Sequence, residues 1–421
     1  MGQTIGFRRL SSGPGTRVTI AIVKLAAVLL LAAPLVWAAD TPETLVSADE
    51  AEPIHSAIIR KEAWTLDPIR RLRAGAEACL REGPWTVTSD RPRGIALDPH
   101  EYYSESPYWW PDTANPAGPF VHRSGQLNPA RFTANRAALT AMSDAVFTLG
   151  AAAFFLDDPR YAQRAARDVQ AWFLAPRTRM NPTLQHAQTI PGSGTAGAGA
   201  DGRAFVRAIQ GMEFLAQSAN WDPRDHAAVR KWFEEYLRWL RQSGQDAGPR
   251  RSPADRTAWW AAQVAAVATF AEDPAASREA FDYFRNRILP RQGRFAPTRD
   301  AAAARPLAPP AASLEGMATL CRIAQVRGVD LWTSRARNGA SAASLIDSAM
   351  PDVSDPKRWN RDQFADFQSD GVCALAFSGV GLSRPDYIAL YRKLEHPDSG
   401  WLAVVDLLVS RWEAAGHQTR H

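Results

Sequence analysis

The sequence predicts an all-α protein, a toroid or solenoid of helical hairpins, from three observations. Apolar residues recur at helical spacing through most of the chain. Neighbouring helical stretches are joined by short turns, several opening on Asp-Pro. No stretch of useful length alternates apolar and polar residues as a half-buried strand does.

Helices are expected near 66–82, 137–156, 159–174, 203–218, 227–241, 256–271, 274–287, 313–327, 340–350 and 399–415. The pair 137–156 and 159–174 reads as a hairpin. Its first helix carries Leu139, Met142, Val146 and Leu149, its second Tyr161, Ala165, Val169, Trp172 and Phe173, and the turn "DDPR" supplies an N-cap and a first-turn proline. The clearest period lies in 227–241. Val229, Trp232, Phe233, Tyr236, Leu237 and Leu240 fall on one helical face, behind the cap Asp222-Pro223. The Gly-rich run 192–202 lacks the Gly-Lys-Ser/Thr ending of a phosphate loop and follows no strand. The Ala/Pro-rich run 299–312 reads as an irregular crossing.

The N-terminus reads as a leader rather than fold. Arg8, Arg9, Arg17 and Lys24 precede or interrupt an apolar run, and Val36 and Ala38 suit a cleavage site. The expected organisation is a signal peptide at 1–38, a mobile or lightly packed lead-in at 39–65, one domain at 66–415 and a tail at 416–421. Export to the periplasm or beyond follows, with no stable membrane insertion after cleavage and a monomeric mature chain.

Removing the leader changes the charge argument. The whole chain is +5, but 45 basic face 44 acidic residues after residue 39, so the excess is almost all in the leader. A nucleic-acid partner is therefore not expected. Cys79, Cys321 and Cys373 have no metal-ligand spacing and read as free thiols on helices, although one disulfide is open to an exported chain. His417 and His421 lie on a polar tail, so no metal is expected there. No Gly-x-Ser-x-Gly and no His-Glu-x-x-His occurs. Asp201, Glu213, Asp366 and Asp370 could serve a glycosidase, yet no spacing selects a facing pair.

Three stretches carry the chemistry. "DPHEYYSESPYWWPDTANPAGPFVHRSGQLNP" (98–129) gathers Tyr102, Tyr103, Tyr108, Trp109, Trp110, His122 and Arg123 on proline-broken chain. "RTRMNPTLQHAQTIPG" (177–192) adds Asn181, Gln185, His186 and Gln188, and "ADRTAWWAAQ" (254–263) adds Arg256 and Trp259. Aromatic faces on loops pack against pyranose rings, and amide side chains suit hydroxyls and carboxylates. The same residues could instead plug the base of a helical barrel, and His186 could be a hydrogen-bonded structural histidine.

These stretches resemble the alginate lyase family. "HEYYSESPYWWPDTANPAGPFVHRSGQLNP", "YAQRAARDVQAWFLAPRTRMNPTLQHAQTIPG", "WFEEYLRWLRQSG" and "WWAAQVAAVATF" follow in the family's order, from about residue 66 to about 335. The resemblance implies an incomplete α/α toroid, a barrel of helical hairpins with a central cleft. It also implies β-elimination on an acidic, uronate-containing polysaccharide without metal or other cofactor. One group neutralises the uronate carboxylate, a base removes the C5 proton, and an acid protonates the leaving glycosidic oxygen.

The resemblance breaks at two places. Where the family reads Asn-Asn-His-Gly-Thr-Trp, this chain has Ala254, Asp255, Arg256, Thr257 and Ala258 ahead of Trp259. Where the family has its catalytic tyrosine, the sequence falls near Pro309, with Arg305 close by and neither Tyr nor His anywhere in 286–330. Two readings follow. In a rebuilt lyase site His186 is the base, Tyr103 or Tyr108 the acid and Arg256 the carboxylate clamp. Tyr102, Trp109, Trp110, His122, Arg123, Asn181, Gln185, Gln188 and Trp259 then bind substrate. In the other reading the protein is a catalytically degenerate relative that binds or scaffolds exopolysaccharide.

Overall fold

A computed structural model describes residues 43–92, 94–115, 117–123, 126–195, 201–246, 254–292, 311–354, 371–395 and 397–416. Thirteen longer helices carry the fold among these residues. They are α1 (Ala48–Ile59), α2 (Ala63–Cys79), α3 (Ala134–Leu156), α4 (Pro159–Val169), α5 (Ala204–Leu215), α6 (Pro223–Asp246), α7 (Ala254–Phe270), α8 (Pro274–Tyr283), α9 (Ala311–Val326), α10 (Ala342–Val353), α11 (Val372–Gly381), α12 (Pro385–Lys393) and α13 (Gly400–Ala414).

Six of them form a ring. α3 packs on α5, α5 on α7, α7 on α9, α9 on α11, α11 on α13, and α13 returns to α3. The ring helices are apolar on nearly every face. α11 reads VCALAFSGVG, which shows no helical period because both its sides are covered. For the same reason α3 is long and apolar enough to cross a membrane, yet most of it is buried in this core. The outer helices are amphipathic. On α6 the expected face Val229, Trp232, Phe233, Tyr236, Leu237 and Leu240 is all buried, and its Trp232 and Phe233 rings pack on Phe173 and Phe205.

Ring helices α3, α5, α7 and α11 each lead into their outer partner through a short connection, at 157–158, 216–222, 271–273 and 382–384. α3 and α5 run in the same direction, because Asp144 pairs with Arg207, Phe147 lies against Gly211 and Phe154 meets Phe214. The longer connections enter them at their N-terminal ends, and the chemistry-bearing loops 98–129 and 177–192 are two of those connections.

Glycine sets the tightest contact. A Cβ on Gly211 would lie 2.5 Å from the Phe147 Cα, and one on Gly150 would lie 2.1 Å from the Gly211 carbonyl oxygen. On α13, Asp406 accepts from Arg71 Nη2 of α2 (2.5 Å) and from Tyr391 Oη (2.9 Å) and Arg392 Nη1 (2.9 Å) of α12.

The expected loose lead-in does not hold for residues 43–59. Leu45, Val46, Ala51, Ile54 and Ala57 are buried. Gln210 accepts from the Leu45 and Val46 amides at 2.7 and 2.8 Å, and Glu213 accepts from the Thr44 amide at 3.0 Å and from its hydroxyl. Arg322 donates to the Leu45 carbonyl (2.8 Å) and to Glu50. The partners that hold the segment lie far away in sequence. α11 and α12 are likewise helices that the periodicity did not reveal. Cys79, Cys321 and Cys373 are all free thiols.

One buried acid gives a pH-dependent prediction. Asp168 on α4 is fully buried and lies 2.9 Å from Arg164 Nη2, but neither carboxylate oxygen has a hydrogen bond. Burial pushes its carboxyl up to about 7, against the pull of Arg164 and Arg167. The native state then holds this proton where the unfolded chain has released it. Stability should fall as pH rises from about 4 to about 7, by at most ~1.4 kcal/mol per pH unit. Urea midpoints across that range should show the fall, and Asp168→Asn should flatten it. An unchanged slope in the variant would assign the effect elsewhere.

Candidate functional site

Two short strands bring the loops together. β1 (Tyr103–Glu105) pairs in parallel with β4 (His186–Ile190), with Tyr103 opposite His186, and β5 (Gly194–Thr195) pairs antiparallel with β4. The hub is Asp201, whose side chain is fully buried. It accepts from Tyr102 Oη (2.9 Å), Ser104 Oγ (2.5 Å) and Gln188 Nε2 (3.0 Å), and Arg136 Nε lies 3.6 Å away. Ser104 Oγ also accepts from the Gln188 amide at 2.8 Å. Gln188 has φ +51, so this pair of bonds holds a non-glycine residue in the left-handed region. Next to the hub, Gly202 leaves room for the Tyr236 Oη to Gln263 Oε1 bond of 3.1 Å. A Cβ there would lie 2.3 Å from both of those oxygens.

β2 (Trp109–Trp110) and β3 (Val121–His122) form a small antiparallel ribbon at the surface. Trp109 pairs with His122, their rings 5.3 Å apart and edge-on, and Tyr108 meets the same imidazole at 6.3 Å. Trp110 donates from Nε1 to the Gln126 carbonyl (2.9 Å), and Arg123 lies 4.9 Å above its ring. Asn128 fixes the base of the ribbon by donating to the Trp109 carbonyl at 2.9 Å. Tyr108 is 40% exposed, His122 is exposed, and both tryptophans are partly open. The ribbon thus presents two indoles, a phenol, an imidazole and a guanidinium to solvent.

The other expected site residues divide. Tyr103 is buried and its hydroxyl donates to Glu105 Oε1 at 3.1 Å. Burial and that carboxylate both push its phenol up. It braces the loop and is not free to serve as an acid, and the buried Tyr102 likewise serves Asp201. Asn181 Nδ2 donates to Glu101 Oε1 (3.0 Å) and Gln185 Nε2 to Glu101 Oε2 (3.3 Å), so these amides hold a loop carboxylate. Gln188 belongs to the hub. Trp259 is buried, its ring against the backbone of Gly316 on α9, so it packs the ring rather than facing a ligand. His186 is half-buried, and its imidazole has no hydrogen bond among the described residues. Arg256 lies on α7, with its side chain outside the described residues, as are Asp255, Pro309, Arg305, Asp366, Asp370, His417 and His421.

Of the carboxylates a glycosidase would use, Asp201 is committed to its hub. Glu213 is fully buried on Thr44, and burial raises its carboxyl well above the ordinary range. Sequence reasoning missed Glu101 and Glu105 as braces. It also missed the ion pair that links α5 to α3, Arg207 Nη1 to Asp144 Oδ1 at 2.7 Å. The available signal was a charge set within each of two largely apolar helices.

A helical ring whose N-terminal connections carry clustered aromatic and polar side chains defines a polysaccharide-lyase-like protein of the α/α toroid class. Residues 86–359 match the family model described as alginate lyase. The chain belongs to the alginate lyase family. No match is found among curated protein sequences. Among solved structures, an alginate lyase from Bacteroides ovatus superposes with a TM-score of 0.75 at 24% identity, over 86% of this chain and 99% of that one. Alginate lyase A1-III, from Sphingomonas species A1, in complex with a tetrasaccharide, superposes with a TM-score of 0.50 at 13% identity, over 80% of this chain and 92% of that one.

Proposed function

We propose that this protein is exported, works as a soluble monomer and engages an acidic, uronate-containing polysaccharide, cleaving it by metal-independent β-elimination. The observation that carries the reading is the exposed ribbon of Tyr108, Trp109, Trp110, His122 and Arg123, a set suited to pyranose faces and an anionic polymer. Family membership supports it, as does the sugar complex of the A1-III relative. In the cleavage step His186 takes the C5 proton, and the C5–H electron pair forms the C4–C5 double bond. The C4–O bond breaks, and Tyr108 supplies the proton to the departing oxygen. Arg256 is assigned to the uronate carboxylate.

A second reading, binding without cleavage, is favoured by Tyr103 being bound to Glu105. One experiment separates the two. Purified mature protein is offered a panel of uronate polymers while unsaturated-uronate absorbance is followed, and oligosaccharide binding is measured in parallel. Cleavage supports the lyase, and saturable binding without absorbance supports the second reading. Neither signal on any polymer would sink both. Trp109→Ala should weaken binding about tenfold, the effect of losing ~1.4 kcal/mol of stacking.

A further inference from the structure

Among the described residues four large apolar side chains are exposed: Ile59 (68%), Leu66 (56%), Tyr108 and Leu127. The last two belong to the stretch that carries the aromatic ribbon. Ile59 and Leu66 instead flank the corner between α1 and α2. That corner is well held. Lys61 turns the chain in the left-handed region at φ +56, and the Glu62 amide donates to the Ala57 carbonyl at 3.0 Å. Ile54, Ala57 and Leu72 of the same two helices are buried. The exposed pair is therefore displayed by a packed corner rather than left over from a frayed end. Leu66, Arg70 and Arg73 fall at i, i+4 and i+7, so they share the outward face of α2, and all three are exposed.

The charges around the corner favour an anionic partner. Each carboxylate there already faces an arginine: Glu62 faces Arg60, Asp67 faces Arg70 and Arg71, and Asp398 faces Arg71. Lys61 and Arg73 are exposed and form no ion pair among the described residues. Arg73 acts on Asp158, whose carboxylate Arg160 holds at 2.7 Å. Trp64, half-buried, donates from Nε1 to Glu62 Oε2 at 2.7 Å. Three partners can be compared. A polyanionic sugar would use the cations and leave Ile59 and Leu66 in water. A second copy across a two-fold axis would set these cations near their own equivalents. An anionic bilayer uses the whole set, because aliphatic side chains enter the headgroup–acyl boundary, an indole sits at that level and cations meet lipid phosphates.

We infer that the α1–α2 corner docks the mature chain reversibly on an anionic phospholipid surface. Ile59 and Leu66 enter the headgroup–acyl boundary, and Lys61 and Arg73 pair with lipid phosphates. The attachment is peripheral, since two aliphatic side chains and two cations fall well short of a membrane span. It adds a lipid surface to the polysaccharide of the reading above and does not depend on cleavage.

The test is co-sedimentation of the full mature chain with vesicles of phosphatidylglycerol and phosphatidylcholine in equal parts, and with vesicles of phosphatidylcholine alone. The proteins compared are the wild type, the double variant Ile59→Ser with Leu66→Ser, and the double variant Lys61→Glu with Arg73→Glu. The wild type should bind the anionic vesicles about tenfold more tightly than the neutral ones, and added salt should weaken that binding. Each double variant should lose about tenfold in affinity for the anionic vesicles, with a melting temperature close to the wild type because all four side chains are exposed. If the serine variant melts early, Ile59→Ala with Leu66→Ala takes its place. Equal wild-type binding to both vesicles, equal binding by all three proteins, or no vesicle binding overturns the inference and leaves the polysaccharide reading intact. A dimer in sedimentation equilibrium that the serine variant abolishes, without vesicle binding, overturns it in favour of a second copy. Binding of a uronate tetrasaccharide that the glutamate variant loses, again without vesicle binding, overturns it in favour of the polysaccharide.

Discussion

Gly211→Ala is expected to cost about 3 kcal/mol or more of stability, the upper range for overpacking a well-filled core. The added methyl would sit 2.5 Å from the Phe147 Cα and from the Val146 carbonyl oxygen. Both obstacles are backbone, so no rotamer change relieves them. α3 and α5 would have to separate, and with them the most closely packed pair of the ring. Gly150→Ala should act in the same direction, since its methyl would lie 2.1 Å from the Gly211 carbonyl oxygen. Gly75→Ala is the control, because its nearest neighbour is the Thr148 methyl at 3.4 Å and alanine favours helix. Urea unfolding reads the result as a lower midpoint at unchanged slope. A Gly211→Ala midpoint equal to that of Gly75→Ala would show that the helices do not cross this closely.

Asp201→Ala is expected to disable the loop assembly and cost roughly 3–5 kcal/mol, as when one partner of a buried polar network is removed. Tyr102, Ser104 and Gln188 would each lose their acceptor, and Arg136 its nearby counter-charge. Asp201→Asn retains one carbonyl oxygen and should recover part of the loss. The same hub fixes the strand that bears His186, so cleavage should fall further than stability alone explains. The informative comparison is activity at a temperature where Asp201→Asn is fully folded. Wild-type turnover by that variant would separate the hub from the chemistry.

The fold was legible where one face of a helix is polar. The α6 pattern was found residue by residue, and α4 was marked by its Asp158-Pro159 start, with Asp158 accepting from the Arg160 amide as a cap does. Legibility failed where burial is two-sided, as in α11, or where partners are remote, as for Thr44 and Glu213, 169 residues apart. The site divided on the same principle. Residue types located the loops, and the ribbon residues Tyr108, Trp109 and His122 do gather. Tyr102 and Tyr103 stand beside each other in sequence with Tyr108 close behind, yet two are buried braces and one is exposed. That difference depends on the carboxylates Asp201 and Glu105, which spacing alone could not assign as their partners.

The shared direction of α3 and α5 has an electrostatic consequence. Each helix carries about half a positive charge at its N-terminus, and the N-terminal ends of α3 and α5 lie on the side entered by the loops 98–129 and 177–192. A chain with almost no net charge after residue 39 can therefore present a positive end through backbone dipoles, before any arginine is counted. Such a field acts over about a Debye length and is screened by salt. It would draw a polyanion toward the ring mouth and leave recognition of individual sugars to the side chains there.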